Sequence, residues 1–307
     1  MPEADEKDEL FVLQVCVAMF FAVTLVPEIS LSCCLQKPPE LMSIAVKHYA
    51  SLVQFINERK CLQLLTSSAA AEAVPELLNE SKSLMCIAVE RAAGTLADLD
   101  RCDDFSDGRF RKLVRLFSLV LPELHKQGLV HRDIKPDNIL IFKGQGDADV
   151  KSSDETFKLN DYGSSCELGA ASSFFAGTPA YAALGLTRLA LYAYGLQPET
   201  RAVAAAAHDW ESAFFSLLWF ATCDSEHTHR RLPWERHSRA GAMFAVKEST
   251  ARDWEALSEH VAASQQGFLS KLHEILFRGS VPDDKRASSA ADCCLRYLGD
   301  EAKQSSA

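Results

Sequence analysis

Residues 131–140 read His-Arg-Asp-Ile-Lys-Pro-Asp-Asn-Ile-Leu, and no other stretch constrains the chain as tightly. The first eight hold two acids, two bases, a histidine and an asparagine. Pro136 has no N–H to donate and pushes Lys135 toward an extended backbone, so the run is a loop. Before it, residues 109–127 carry apolar positions at helical spacing, and Gly128 ends them. After it, Ile139–Phe142 reads as a short buried strand. Lys135 stands two residues from Asp133 and projects to the same side of an extended loop. Asn138, five residues from Asp133, is far enough along to turn back toward it. Such a loop can orient a hydroxyl and compensate negative charge.

The rest of the chain adds elements in order. Residues 1–9 form an acidic tail, and residues 299–307 are expected to be a disordered one. Leu10–Val26 contains only Gln14 and Thr24 as polar residues, which is the lower edge of membrane-span length. No basic flank orients it, and its β-branched and aromatic content suits buried strands, so a membrane association is not expected. Ile44-Ala45-Val46-Lys47 is an apolar strand around one lysine. Ala50 to Leu65 has apolar residues at helical spacing, and Ser83–Val89 is a second apolar strand. Lys143–Thr156 is polar and reads as an exposed hairpin insertion. Phe157–Asn160 is a strand leading into Asp161. Trp210–Phe220 is apolar on all sides, as a central buried helix would be.

Composition excludes some classes. A net charge of −10 argues against nucleic-acid binding. The ten cysteines include no C-x-x-C, and free buried thiols are expected in an intracellular, cytoplasmic or nuclear, protein.

The ten-residue run resembles the catalytic loop of eukaryotic protein kinases, H-R-D-x-x-x-x-N. Further motifs follow in family order. Asp161-Tyr162-Gly163 resembles D-F-G, 28 residues after Asp133. Gly177-Thr178-Pro179-Ala180-Tyr181 resembles the G-T-P-x-Y of the substrate-facing segment. His208-Asp209-Trp210-Glu211-Ser212 resembles the start of the central helix, in a form closest to fungal-type and casein-kinase-like protein kinases. Ile44-Ala45-Val46-Lys47 resembles V-A-I-K, and Arg286 the family's late structural arginine. The resemblance covers about residues 40–298.

It implies an α+β, bilobal fold with a small β-rich N-lobe at 10–90 and a large helical C-lobe at 91–298. It implies ATP and Mg2+ as cofactors and a protein as substrate. Asp133 would be the catalytic base, with Lys135 at the γ-phosphate, the pairing the family uses on serine and threonine. Thr178 would contact Asp133 and Lys135. Asn138 and Asp161 would hold the metal. Lys47 would clamp the α- and β-phosphates and pair with Glu58, or failing that with Glu72. Val89 would be the gatekeeper, Glu90 and Ala92 would meet the adenine edge, and Ala45 and Leu140 would sandwich the ring. Asp209 would bond the backbone of the catalytic loop. Arg132 could pair with a phosphate on Ser164, Ser165, Ser172 or Ser173.

Three departures qualify the pattern. The first glycine of the chain is Gly94, so no G-x-G-x-x-G precedes Lys47 and no glycines bring backbone N–H groups over phosphates. The expected A-P-E is Ala183-Leu184-Gly185, which leaves Arg286 to find another acid, with Glu199 as a candidate. An Ala-rich segment, Leu186–Ala207, separates the motifs further than usual. The expected function is a serine/threonine protein kinase. Alternatives are a pseudokinase scaffold and a small-molecule phosphotransferase.

Overall fold

The computed structural model describes residues 44–99, 105–143, 155–172, 175–193, 195–196, 201–222, 230–237, 239–259 and 261–304. The expectations for 1–9, for the apolar stretch 10–26, for most of the 143–156 insertion and for Glu199 lie outside these residues.

Among the described residues the N-terminal part holds a three-stranded antiparallel sheet backed by one helix. Strands β1 (Ile44–His48), β2 (Leu77–Ser81) and β3 (Cys86–Glu90) are ordered β1-β3-β2. The register sets Ala45 opposite Val89 and Lys47 opposite Ile87. Helix α1 (Leu52–Thr66) buries Phe55, Glu58, Cys61, Leu62 and Leu65, the i, i+3, i+4, i+7 stripe that packs a helix on a sheet. Buried Cys61 behaves as a small apolar side chain, its thiol pushed up to about 11 by burial. Strand β3 ends at Glu90, and Ala93 N–H already bonds the carbonyl of Ile141 across the larger part of the molecule (2.8 Å).

The larger part is mostly helical. Helix α2 (Asp107–Lys126) is capped by the Ser106 hydroxyl, which accepts from Arg109 N–H at 3.2 Å. It closes at Gly128, whose φ of +71° suits glycine. Strand β4 (Gly94–Thr95) pairs with β6 (Ile139–Phe142), which pairs with β7 (Thr156–Leu159). A small ladder joins β5 (Leu129–Val130) to β8 (Cys166–Glu167).

Within the Ala-rich segment, helix α3 (Thr187–Ala193) is followed by β10 (Ala202–Val203), which pairs with β9 (Ala171–Ser172). The central helix α4 (Ala206–Ala221) is buried from Asp209 to Ala221, as expected of a helix apolar on all sides. Helices α5 (Ala240–Thr250), α6 (Trp254–Ser258), α7 (Ala263–Phe277) and α8 (Arg286–Gln304) complete the fold. The chain thus has the expected α+β division into a strand-rich and a helical part.

One expectation is corrected here. Helix α8 continues to Gln304, whereas a disordered tail was expected from 299. Its strongly amphipathic pattern carries the helix through Gly299, and residues 305–307 lie outside the described residues.

Among the described residues no helix is long and apolar enough to cross a membrane. The five described cysteines are free thiols.

Candidate functional site

The site is assembled by the β6–β7 pairing. Asn138 and Asp161 sit at the same end of these strands, and Asn160 N–H bonds the Asn138 carbonyl at 2.9 Å. His131 Nε2 meets the Asn160 carbonyl at 3.0 Å, which ties the catalytic-loop sequence to the segment ahead of Asp161. Arg132 and Asp161 both adopt left-handed backbone, with φ of +74° and +66°. Non-glycine residues rarely hold that conformation unless their surroundings impose it.

For the loop, the imposing group is Asp209, buried on α4. Its carboxylate accepts from His131 N–H (2.8 Å), Arg132 N–H (2.9 Å) and His125 Nε2 (2.9 Å). Burial would raise this carboxyl, but the His125 bond, the nearby histidines and Arg132 N–H outweigh it and hold it below the usual range.

Asp133 lies at the centre of a small polar cluster. Its Oδ1 accepts from the Thr178 hydroxyl at 2.8 Å, and Lys135 Nζ stands 3.1 Å from its Oδ2. Lys135 also donates to Thr178 Oγ1 at 2.7 Å, closing a triangle. Asn138 does turn back: its Nδ2 donates to the Asp133 carbonyl (2.7 Å) and to Oδ2 (3.2 Å). Gly177 permits this approach, since its φ is +115° and an added Cβ would strike the Arg132 carbonyl oxygen.

The second cluster spans both parts of the molecule. Lys47 Nζ lies 2.9 Å from Glu58 and 3.4 Å from Asp161. Glu58 is fully buried, and burial raises its carboxyl while Lys47 pulls it back down. Its other oxygen has no hydrogen-bond partner among the described residues. Glu72, the fallback partner, instead pairs with Arg115 at an exposed position.

The expected hinge residues sit where the two parts join. Val89 is buried, the Glu90 carboxylate pairs with Lys158, and Ala92 stands just before the Ala93–Ile141 bond. Ala45 and Leu140 are both half-buried, on the sheets of the two different parts.

Of three more residues with defined partners, Asn57 carries no recognisable sequence signal. Asn57 of α1 donates to the carbonyls of Gly163 (3.2 Å) and Ser165 (2.8 Å), holding the segment after Asp161. Tyr162 is fully buried, its ring 4.8 Å from that of His131 and its hydroxyl donating to the Leu159 carbonyl. Arg286 finds its acid in Asp283, one turn back at 2.7 Å.

Residues 43–190 match the protein kinase domain family. A serine/threonine-protein kinase of Drosophila melanogaster is 35% identical over 79 residues, covering 26% of this chain and 10% of the relative. A homologous serine/threonine-protein kinase of Drosophila erecta matches to the same extent. A calcium/calmodulin-dependent protein kinase kinase of Emericella nidulans is 38% identical over 86 residues, 27% of this chain and 15% of the relative. The chain therefore spans a small fraction of the length of the curated relatives it matches. None of these three is named as a casein-kinase-like or fungal-type kinase, so that subfamily likeness rests on the α4 motif alone.

Proposed function

We propose that this chain, whose residues 43–190 match the protein kinase domain family, is a serine/threonine protein kinase that moves the γ-phosphoryl group of ATP to a protein hydroxyl. The observation that carries the proposal is the Asp133–Lys135–Thr178 triangle. A carboxylate held on three sides cannot swing away, so an incoming hydroxyl meets an acceptor of fixed position. Phosphoryl transfer asks little else of a protein than such positioning and charge compensation.

Asp133 accepts the hydrogen bond of the attacking hydroxyl and orients it. Lys135 offsets negative charge on the transferring group, and its bond to Thr178 ties that charge to the substrate-facing segment. Lys47, aimed by Glu58, compensates the α- and β-phosphates. The adenine edge meets the backbone of Glu90 and Ala92 beside Val89, with Ala45 and Leu140 on the faces of the ring.

Asp161 and Asn138 suit Mg2+. Asn138 spends its amide N–H groups on Asp133, which leaves its side-chain oxygen for a cation. Among the described residues no cluster of three or more His, Cys, Asp or Glu could hold a metal. Two oxygen donors would suit Mg2+, which takes the rest of its ligands from water and phosphate oxygens, better than a closed structural metal. When bound, the ion neutralises phosphate charge.

The second reading is a scaffold on the same fold. It is favoured by the absence of glycine before Gly94 and by the Ala183-Leu184-Gly185 sequence.

Labelled ATP with Mg2+ separates the two. The expected result is transfer to a generic protein acceptor or to the chain itself, reduced about 10²–10⁴-fold in Asp133→Asn. No transfer, together with no ATP-dependent rise in melting temperature, would overturn the kinase proposal.

A further inference from the structure

The substrate-facing segment 177–184 lacks the glutamate that normally follows it, yet its backbone is anchored at four points by side chains from elsewhere. Lys247 Nζ, on α5, donates to the Pro179 carbonyl at 2.9 Å and also to the Ala182 carbonyl. Trp234 Nε1 donates to the Ala180 carbonyl at 2.8 Å. The Tyr181 hydroxyl bonds Glu235 at 3.1 Å, and Leu184 N–H donates to Glu211 at 2.8 Å. Residues 180–184 are buried as a result.

Lys247 is the unusual member. It is 1% exposed, and both its hydrogen-bond partners are neutral carbonyls. Its charge lies over the rings of Phe215 (4.5 Å) and Trp234 (5.7 Å). Burying an ammonium without a directly paired carboxylate is costly, so packing alone does not account for a lysine here. Methionine would fill the same space without that cost. Burial holds the ammonium well below its ordinary range, while Glu211 and Glu235 act in the opposite direction.

We infer that Lys247 is a positioning residue: it clamps two carbonyls of segment 177–184 and thereby fixes the surface on which the protein substrate lies. The inference deepens the kinase reading and rests on it for its kinetic part. The geometry explains the coupling to chemistry. Pro179 directly follows Thr178, whose hydroxyl touches both Asp133 and Lys135. Tyr181 and Ala182 N–H groups both bond the Thr178 carbonyl at 2.9 Å. A segment freed at residues 179 and 182 would therefore loosen Thr178 from both sides.

Two readouts on Lys247→Met test this. In amide hydrogen exchange, Tyr181, Ala182 and Leu184 should exchange about tenfold faster or more than in the unaltered chain. In phosphate transfer, KM for a protein acceptor should rise about tenfold, from the loss of a charge-assisted bond. The ATP-dependent melting shift should stay the same and kcat should change less than KM. Unchanged exchange at these amides, or an unchanged acceptor KM, would overturn the inference.

If Lys247→Met fails to fold, Trp234→Phe keeps an aromatic ring and removes the Nε1 donor to the Ala180 carbonyl of the same segment. The same two readouts then apply: faster exchange and raised acceptor KM support an anchored segment, and unchanged values refute it. Should the unaltered chain transfer no phosphate, the kinase reading fails, while the exchange measurement still judges the clamp.

Discussion

Replacing Asp209 tests whether one buried carboxylate holds the loop that starts at His131. Its oxygens take the N–H groups of His131 and Arg132 and the Nε2 of His125, all within 2.9 Å, and its side chain is 1% exposed. Alanine would leave three donors buried without an acceptor. Each such loss costs roughly 1–3 kcal/mol, so about 3–6 kcal/mol is expected in all once water enters part of the gap. For a chain of 307 residues that corresponds to a melting temperature lower by roughly 5–10 °C, measurable by calorimetry or circular dichroism. Asparagine keeps one acceptor oxygen and sets an amide N–H against a donor, so Asp209→Asn should lose about half as much.

The same site makes a pH prediction. The folded carboxyl lies below its unfolded value, so its stabilisation is present above the ordinary carboxylate range and is lost as pH falls through the folded value. The unaltered chain should therefore lose stability in acid more steeply than Asp209→Asn. An Asp209→Ala protein that melts within about 2 °C of the unaltered chain would refute the reasoning, because no buried donor would then have been stranded.

Two further outcomes follow from buried acids. Glu58→Gln removes the charge that aims Lys47, so KM for ATP should rise about tenfold, while melting should change little because burial disfavours the Glu58 charge and Lys47 keeps Asp161 at 3.4 Å. Glu211 is pushed up to about 7 by burial, against Leu184 N–H and the charges of Lys247, Arg286 and Arg252. A raised carboxyl stabilises the fold below its unfolded value and loses that contribution as pH rises through about 7. Melting temperature measured from pH 5 to 8 should therefore fall with rising pH in the unaltered chain relative to Glu211→Gln; parallel curves would refute the assignment.

Much of the site was legible because its parts are contiguous in sequence. His131–Leu140 is a single run, and the turn of Asn138 back onto Asp133 follows from a spacing of five residues and a proline between them. Lys47 and Glu58 were readable as a pair although only 11 residues apart, because a strand followed at once by a helix can fold its second turn back over the strand. The helical spacing of α2 and its closing glycine were also visible, since local periodicity encodes them.

Other features were not legible. Asn57, His125 and Lys247 are ordinary helix residues in sequence, and their roles appear only when a carbonyl or carboxylate from elsewhere is set beside them. Arg286 shows the difference in scale. Glu199, the distant candidate acid, lies outside the described residues, and among those described Arg286 pairs with Asp283 of the preceding turn.

The sequence by itself determined the motif order, the division into a strand-rich and a helical part, and which charged groups the proposed phosphoryl transfer would use. Those properties depend on residue type and short spacing. The tertiary structure alone decided how the altered segments are held. The missing glutamate after Tyr181 is offset by Lys247, Trp234, Glu235 and Glu211, which lie 27 to 68 residues from the groups they bind. The Ala-rich segment becomes the strand partner of Ala171–Ser172. No local pattern encodes such contacts, because each depends on where a buried donor can find an acceptor once the core has closed.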